Sequence, residues 1–193
     1  MKNTDLIATA GKISIRRIKQ DDLPQIVPFP FSVSITEQHA TLDRLRDLYS
    51  DSELWSEVAG AVAISENATR RLVGTCQFYR SAPCIHGFEI GYVVHGKSDR
   101  GKGYAAQALR LLSDHLFSSR PNIYRHQLLI EVWNTPSWKV AERSGFVREG
   151  MLRSCGFGEG DPGDCFVYSR TQKDYQRELS SSNGPGTSTA LTS

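Results

Sequence analysis

The sequence predicts a mixed α/β fold built on one sheet. Three strand-like runs separated by turns predict an antiparallel meander, and they lie at residues 55–64, 72–79 and 88–94. A further apolar run at 124–132 is uninterrupted over residues 128–130, so we expect this strand to be buried on both faces. Stretches with helical spacing lie on both sides of this run. The resulting β-α-β-α-β-β order after the meander is typical of a mixed sheet with flanking helices.

The region before the meander predicts one strand and two helices. Isoleucines and basic residues alternate over 13–18, which indicates a first strand. Residues 20–24 are typical of a turn that opens a short helix. Residues 37–49 carry an apolar stripe at helical spacing, and Thr36 is placed to cap that helix. Residues 1–11 show no such pattern, so we expect them to form a flexible lead-in.

The region after the meander predicts two helices and the remaining strands. The first helix, at about 103–118, has an apolar stripe at Ala108, Leu109, Leu112 and Leu116. The last two strands are expected at 146–154 and 165–171. Between them, residues 156–164 hold four glycines and a proline, which is typical of a mobile loop or one that a ligand approaches closely. Residues 179–193 are rich in Ser, Thr and Gly, so we expect a disordered tail.

Composition excludes several classes of protein. The 193 residues carry 23 basic and 21 acidic side chains, and this balance gives no electrostatic case for a nucleic-acid or membrane partner. No apolar run is long enough to span a bilayer, and the first residues lack the core of a signal peptide, so we expect a cytoplasmic protein. The four cysteines have neither C-x-x-C nor zinc spacing, so we expect reduced thiols and no metal. One domain at 12–178 is expected, and a homodimer stays open.

The most informative stretch is a strand that runs into a glycine loop and then a helix. The strand spans Glu89–Val94 and the loop spans Arg100–Ala105. Glycines at the start of a helix allow consecutive backbone N–H groups to point at an anion, and the helix dipole favours negative charge there. We therefore predict a ligand that carries phosphate.

Two phosphate-binding motifs lie close together in this stretch. Residues Gly91–Ser98 match the nucleotide P-loop pattern G-x-x-x-x-G-K-[ST]. That motif needs its variable residues to form a loop and its helix to begin at the Lys-Ser pair. Here the variable residues are mostly strand formers, and glycines at 101 and 103 disfavour a helix that begins at Lys97. A P-loop nucleotide-binding protein is therefore the less favoured alternative.

The other motif is Arg100-x-x-Gly103-x-Ala105. It resembles the [QR]-x-x-G-x-[GA] loop that binds the pyrophosphate of coenzyme A in the GNAT acetyltransferase superfamily. A second block, which begins at Asn134 and ends at Gly145-Phe146, resembles the N-x-x-[AS]-(7)-G-F segment of the same superfamily. The spacing from asparagine to glycine is eleven residues, as in that family. The two motifs agree with each other in order and separation, which favours the coenzyme A loop over the P-loop.

The resemblance extends over residues 13–175. Residues 89–92 and 148–150 point to the RimJ/RimL branch, which includes ribosomal-protein N-terminal acetyltransferases. It implies a mostly antiparallel seven-stranded sheet, splayed at its middle and flanked by about four helices. It also implies an N-acetyltransferase that moves an acetyl group from acetyl-CoA, its co-substrate, directly to a primary amine in a ternary complex.

The resemblance also implies where acetyl-CoA would bind. The pyrophosphate would lie on the glycine loop, whose residues are Arg100, Gly101, Lys102, Gly103, Tyr104 and Ala105. The alternative for both Arg100 and Lys102 is a solvated loop charge. The pantetheine arm would lie beside the strand, with backbone amides near the thioester oxygen, at Tyr92, Val93 and Val94. Asn134 would contact the pantetheine or order the start of its helix.

For the proton of the amine, Glu89 is the expected base. Many members of the superfamily carry a glutamate at this point of the strand, and it often acts through water. The alternative is a structural carboxylate that pairs with an arginine of a neighbouring strand. His86 and His95 flank the strand and are lesser candidates for a proton relay.

For the departing thiolate, the resemblance implies the serine three residues after the motif asparagine, here Ser137. The alternative for Ser137 is a helix N-cap, since it follows Pro136. Many members use a tyrosine seven residues after the asparagine, and that position is Ala141 here. Some members of the branch carry a glutamate near the position of Gly156. These missing side chains leave a non-catalytic acyl-CoA sensor as a further alternative.

The acceptor amine is not readable from the motifs. Three classes stand, namely the α-amine of a protein N-terminus, a small amine or amino acid, and an antibiotic amine. Several aromatic residues are candidates for an acceptor pocket, with core packing as their alternative, namely Phe29, Phe31, Trp55, Tyr79 and Phe157.

Overall fold

A computed structural model describes residues 5–27, 41–82, 84–156 and 163–182. Its strands are β1 (Leu6–Ala10), β2 (Ile13–Arg17), β3 (Ala59–Glu66), β4 (Leu72–Arg80), β5 (Gly87–Val94), β6 (Arg125–Glu131), β7 (Val147–Leu152) and β8 (Cys165–Thr171). Its α-helices are α1 (Leu42–Ser52), α2 (Tyr104–Ser119), α3 (Thr135–Arg143) and α4 (Gln172–Ser182). Short 3-10 helices lie at Gln20–Gln25 and Lys97–Asp99. None of the helices in these described ranges is both long and apolar enough to cross a membrane.

The strands form one sheet in the order β1-β2-β3-β4-β5-β6-β8-β7. Every neighbouring pair is antiparallel except β5 and β6, which run parallel. In this parallel pair, only Gly87 to Glu89 of β5 pair with β6, where they lie opposite Arg125 to Gln127. The two strands separate beyond that point. The mixed α/β class and the central splay are confirmed. The described sheet has eight strands rather than the seven predicted.

The extra strand and the last helix correct the two predicted ends of the domain. Leu6–Ala10 pairs with β2, so the flexible lead-in predicted for 1–11 is wrong there. Its side chains are mostly exposed, so backbone pairing rather than an apolar pattern defines it. Residues 179–182 belong to α4, so the disordered tail predicted from 179 begins too early. Residues 1–4 and 183–193 lie outside the described ranges.

The helix predicted at 37–49 is α1, and it is described from Leu42. Thr41 caps it, because its hydroxyl accepts a hydrogen bond from the Arg44 N–H at 3.2 Å. The predicted cap, Thr36, lies outside the described residues. The helix then runs to Ser52, three residues beyond its predicted end.

The sheet has two different faces. One face packs against α2 and α3 and forms the larger core, which includes Phe78, Phe88, Ile90 and Leu128. The other face is covered near β3 by α1 and the 3-10 helix at Gln20–Gln25. In β6 only alternate residues are buried, and Leu129 is half-buried, so the predicted burial of both faces is wrong. Alternation along each strand therefore assigns every side chain to one of two different environments.

A buried polar cluster joins β8 to α2 and α4. The Arg170 side chain has no exposed surface. Its guanidinium donates to the Ser113 Oγ at 2.8 Å and pairs with Asp114 at 2.7 Å and Glu178 at 2.5 Å. A buried cation requires such partners because it has lost its water. This cluster holds α4 against the sheet, which explains why a Ser-rich segment is helical.

His126 lies in the same interior. Its Nδ1 lies 2.9 Å from the Ser113 Oγ, and its ring stacks on Phe117 with 3.8 Å between ring centroids. Burial, reinforced by the charges of Arg170 and Arg120, lowers the pKa of His126 to about 3. The folded protein therefore holds a neutral imidazole over the whole physiological range.

This histidine predicts a specific loss of stability in acid. The unfolded chain binds a proton at His126 below about pH 6.5, whereas the folded chain does so only near pH 3, so stability falls as pH drops between these values. The full effect is on the order of 5 kcal/mol. We expect urea unfolding of His126→Gln to show a flatter dependence on pH from about 6.5 to about 4 than the wild type. Equal slopes for the two proteins would contradict this assignment.

Candidate active site

The glycine loop has the geometry of an anion site and not of a P-loop. Four of the eight residues in the P-loop match, Gly91 to Val94, are paired in β5. Lys97–Asp99 form only one 3-10 turn, and α2 begins at Tyr104. A P-loop needs a helix that begins at the Lys-Ser pair. The alternative of a P-loop nucleotide-binding protein is therefore wrong.

The start of α2 presents consecutive backbone N–H groups. Gly101 and Gly103 have φ of +77° and +84°, a left-handed conformation that favours glycine. No side chain caps this helix, and no described residue accepts a hydrogen bond from the N–H groups of residues 101–105. Unpaired N–H groups at a helix N-terminus, with the helix dipole behind them, bind anions. The predicted pyrophosphate loop has the geometry for that role.

The charges around this loop divide into two sets. Asp99, which is 2% exposed, is held by Arg71 through two hydrogen bonds of 2.7 and 2.9 Å. The Lys102 Nζ contacts the same carboxylate at 3.1 Å, and the hydrogen bonds from Arg71 and Lys102 hold the pKa of Asp99 well below its usual range. Arg100 is exposed and forms no ion pair within the described ranges. Of the two predicted phosphate-binding charges, Arg100 is thus the unpaired one.

The loop geometry predicts the effect of one methyl group. An alanine at Gly103 would have no steric clash, since the nearest atom would be 3.8 Å from its Cβ, but the left-handed backbone costs about 1 kcal/mol or more. We expect Gly103→Ala to raise the Kd for acetyl-CoA roughly tenfold by displacing the N–H groups. Calorimetric titration measures this, with Gly150→Ala as the control because Gly150 has open space and no positive φ. Equal affinities in both variants would contradict the prediction.

Glu89 lies on the sheet face opposite α2. Its Oε1 accepts a hydrogen bond from the Tyr79 hydroxyl at 2.5 Å, and its Oε2 accepts one from the Gln127 Nε2 at 3.1 Å. Tyr79 and Gln127 stand directly opposite Glu89 on the two neighbouring strands. Burial and the Glu89 carboxylate both raise the pKa of Tyr79 far above its usual value. No arginine in the described ranges pairs with Glu89, so the alternative of a structural Arg–Glu pair is wrong.

Ser137 lies on the α2 face, in the first turn of α3. Its Oγ is 2.5 Å from the Tyr92 hydroxyl, which also donates to the Ser137 carbonyl at 3.1 Å. Asn134 caps α3, because its Oδ1 accepts a hydrogen bond from the Ser137 N–H at 3.3 Å. The alternative of Ser137 as the helix cap is therefore wrong. Burial raises the pKa of Tyr92, so its hydroxyl stays protonated beside Ser137.

The backbone of β5 supplies two of the three predicted amides to the splay. The His95 N–H donates to the Val73 carbonyl of β4. N–H groups alternate in direction along a strand, so the N–H of Val93 also faces β4. The N–H groups of Tyr92 and Val94 face the other way, into the gap where β6 has separated. The Val93 carbonyl faces β4 as well, so the predicted contact at Val93 is limited to its side chain.

The other predicted positions are placed as follows. The His95 Nδ1 accepts the Val27 N–H at 3.0 Å, and burial lowers the pKa of His95. His86 stands at the opposite end of β5, beside the Tyr124 ring. Ala141 is fully buried in the core, and the Gly156 N–H donates to the Gly163 carbonyl at 2.7 Å.

The aromatic candidates divide similarly. Trp55 packs edge-on against Phe78 in the core, with 5.2 Å between ring centroids. Tyr79 reaches Glu89, as described above. Phe29, Phe31 and Phe157 lie outside the described residues. In the same described ranges, no group of His, Cys, Asp and Glu side chains is arranged to hold a metal ion.

The site contains residues that no motif marks. Tyr79, Gln127 and Asp99 contact the predicted site residues Glu89 and Lys102, and Arg71 holds Asp99 in place. An alternating strand pattern would place Tyr79 and Glu89 on polar faces of adjacent strands, but it could not set their register. The pairing of Arg71 with Asp99 joins residues 28 positions apart, for which the sequence holds no local signal.

Comparison with known proteins identifies the family. Residues 12–147 match the model of the acetyltransferase (GNAT) domain. The chain is 29% identical over 150 residues to the uncharacterized N-acetyltransferase p20 of Bacillus licheniformis. The aligned residues cover 78% of this chain and 79% of that protein. It is 33% identical over 99 residues to the ribosomal-protein-serine acetyltransferase of Escherichia coli (strain K12), covering 51% of this chain and 54% of the relative.

A solved structure shows the same fold. Mycobacterium smegmatis RimJ in complex with CoA-disulfide matches with a TM-score of 0.66 and 21% identity, covering 92% of this chain and 93% of that one. The Escherichia coli relative supports the predicted resemblance to the RimJ/RimL branch. Because the family model matches well over half of its residues, this chain belongs to the GNAT family of acetyltransferases.

Proposed function

We propose that this protein transfers an acetyl group from acetyl-CoA to a primary amine that reaches the splay between β5 and β6. The observation that carries the proposal is the arrangement of three features along β5. Unpaired N–H groups for a diphosphate lie beyond its end at residues 101–105. Free amides of Tyr92 and Val94 line the gap. Glu89 and Ser137 lie on opposite faces of the sheet at that gap.

The residues present fit acetyl-CoA. The N–H groups of residues 101–105 and the exposed Arg100 would hold the pyrophosphate, and the amides of Tyr92 and Val94 would bind the arm beside β5. When bound, acetyl-CoA supplies an acetyl group activated as a thioester. Val93 contributes to the strand that orients it, and Asn134 orders the start of α3.

The two faces divide the chemistry of the amine from that of the thiolate. Glu89 would accept the proton that the amine loses as its nitrogen bonds to the thioester carbon. The amides of Tyr92 and Val94 would donate hydrogen bonds to the carbonyl oxygen, where negative charge develops. The Ser137 hydroxyl, which lies beside the Tyr92 hydroxyl, would turn its hydrogen from Tyr92 toward the sulfur as the carbon–sulfur bond breaks. The amine enters from the Glu89 face because the helices α2 and α3 cover the other face.

The acceptor is a protein N-terminal α-amine or a small-molecule amine, with antibiotics included in the second class. The Escherichia coli relative is named for a ribosomal protein as substrate, which supports the first class. Acceptors of both classes would react through the same group, an uncharged primary amine that lies next to the Glu89 carboxylate.

Two measurements test the proposal. Acetyl-CoA should raise the melting temperature and ATP should not, since only a ligand that binds the folded state stabilises it. Thiol release should then follow addition of an amine from a panel of N-terminal peptides, polyamines, amino acids and aminoglycosides. Stabilisation by ATP alone would overturn the assignment of the loop. Tight binding of acetyl-CoA without thiol release for any amine would favour a non-catalytic acyl-CoA sensor.

A further inference from the structure

A chain of polar side chains crosses four strands and ends on Glu89. We infer that Tyr79 and Gln127 are positioning residues for acetyl transfer, which hold the Glu89 carboxylate in one orientation, aimed at the amine. The inference rests on the proposed function and goes beyond it, because no motif includes either residue. On the Glu89 face of the sheet, where the amine would enter, several residues would then act together rather than a single carboxylate.

The contacts to Glu89 leave its carboxylate little freedom. Each oxygen takes one hydrogen bond, from the Tyr79 hydroxyl at 2.5 Å and from the Gln127 amide at 3.1 Å. The two donors come from strands on opposite sides of β5, in the residues directly opposite Glu89. A carboxylate held from both sides keeps one rotamer, and each oxygen still has a lone pair for a further donor. The amine is the donor that this arrangement leaves room for.

The amide of Gln127 is itself held in one orientation. The Arg125 Nε donates to the Gln127 Oε1 at 3.3 Å, which turns the Nε2 toward Glu89. The Arg125 guanidinium binds both oxygens of Glu149 at 2.9 and 2.6 Å, and the Ser169 hydroxyl also donates to Glu149. Arg125 lowers the pKa of Glu149 to about 2, so this anchor keeps its charge through the range in which enzymes work.

The same contacts have a purely structural explanation, which is that they join the five strands β4 to β8 where the sheet splays. The two explanations differ in what happens when Glu89 is already absent. A positioning residue acts through Glu89, so its removal should matter only while Glu89 is present. A structural residue should lower activity and stability by the same factor with or without Glu89.

The test is a double-mutant cycle on acetyl transfer to whichever amine of the panel is most active. We expect Tyr79→Phe and Gln127→Met each to lower kcat by roughly tenfold to a hundredfold, with the KM for acetyl-CoA unchanged. In the Glu89→Gln background, either change should alter kcat by less than about twofold.

Tyr168→Phe is the matched control. That buried hydroxyl also donates to a glutamate, Glu142 at 3.3 Å, but it lies on the other face of the sheet. It should leave kcat unchanged. If Tyr79→Phe fails to fold, the double-mutant cycle is performed with Gln127→Met and Glu89→Gln only.

The outcomes separate this inference from the proposed function. Wild-type transfer that is unaffected by Tyr79→Phe and Gln127→Met would overturn the inference and leave the proposed function standing. Losses of equal size in the wild-type and Glu89→Gln backgrounds would also overturn it, in favour of a structural role. Absence of transfer from the wild type to every amine would overturn the proposed function and the inference together.

Discussion

Replacement of Glu89 by glutamine is expected to lower kcat for acetyl transfer by roughly 100-fold to 10,000-fold. Glutamine keeps the volume of the side chain and can still accept a hydrogen bond from Tyr79, but it cannot take up a proton at neutral pH. The loss should appear in kcat rather than in the KM for acetyl-CoA, because the glycine loop, where we propose that the diphosphate binds, lies elsewhere. Steady-state thiol release at saturating acetyl-CoA measures both quantities.

The control for this variant is Glu57→Gln, since Glu57 is exposed ahead of β3 and away from the splay. It should retain wild-type kcat. Raising the pH should partly restore Glu89→Gln, because the fraction of acceptor that is already deprotonated increases. Wild-type activity in Glu89→Gln at neutral pH would show that water alone removes the proton, and Glu89 would then lose its role as base.

Replacement of Arg170 by methionine is expected to be the most destabilising single change in the described fold. The guanidinium is fully buried and links Asp114 of α2 to Glu178 of α4. Removing one partner of a buried ion pair leaves the others desolvated, which costs roughly 3–5 kcal/mol. For a domain of this size that corresponds to a fall in melting temperature of about 10 °C.

Urea unfolding followed by circular dichroism measures this cost. The matched control is Arg177→Met, because the Arg177 side chain is 76% exposed and its ion pair with Asp174 is long, at 3.5 Å. Exposed pairs of that kind contribute about 0–1 kcal/mol, so the control should be near wild type. A loss in Arg170→Met no larger than that of the control would mean that Arg110 alone satisfies Asp114 and Glu178, to both of which it is also paired.

Local patterns predicted the elements that carry the site. The strand over Phe88–Val94 and the helix over about 103–118 were within one residue of β5 and α2 at each end. Alternating β-branched and aromatic residues, followed by two glycines and an apolar stripe, specify a strand, a loop and a helix without help from the rest of the chain. The two ends of the domain have no such pattern. There β1 depends on pairing with β2, and the last turn of α4 depends on the charges that hold the helix.

The candidate site divides in the same way. Gly103 and Asn134 could be assigned from motif spacing because each serves a local purpose, a left-handed turn and a helix cap. The roles of Ser137 and Lys102 could not, because each depends on a partner that the motif does not include. Tyr92 contacts Ser137, which is 45 positions away in the sequence, and Asp99 forms an ion pair with Lys102.

By itself, the sequence determined the mixed α/β class, the family and the position of the glycine loop before α2, because these depend on spacings between residues that are close along the chain. Only the tertiary structure decided that Glu89 and Ser137 face opposite sides of one sheet, and that Tyr79 and Gln127 hold the carboxylate between them. Alternation tells which residues of a strand share a face. The identity of their neighbours depends on strand order and register, which are set by packing across the whole domain.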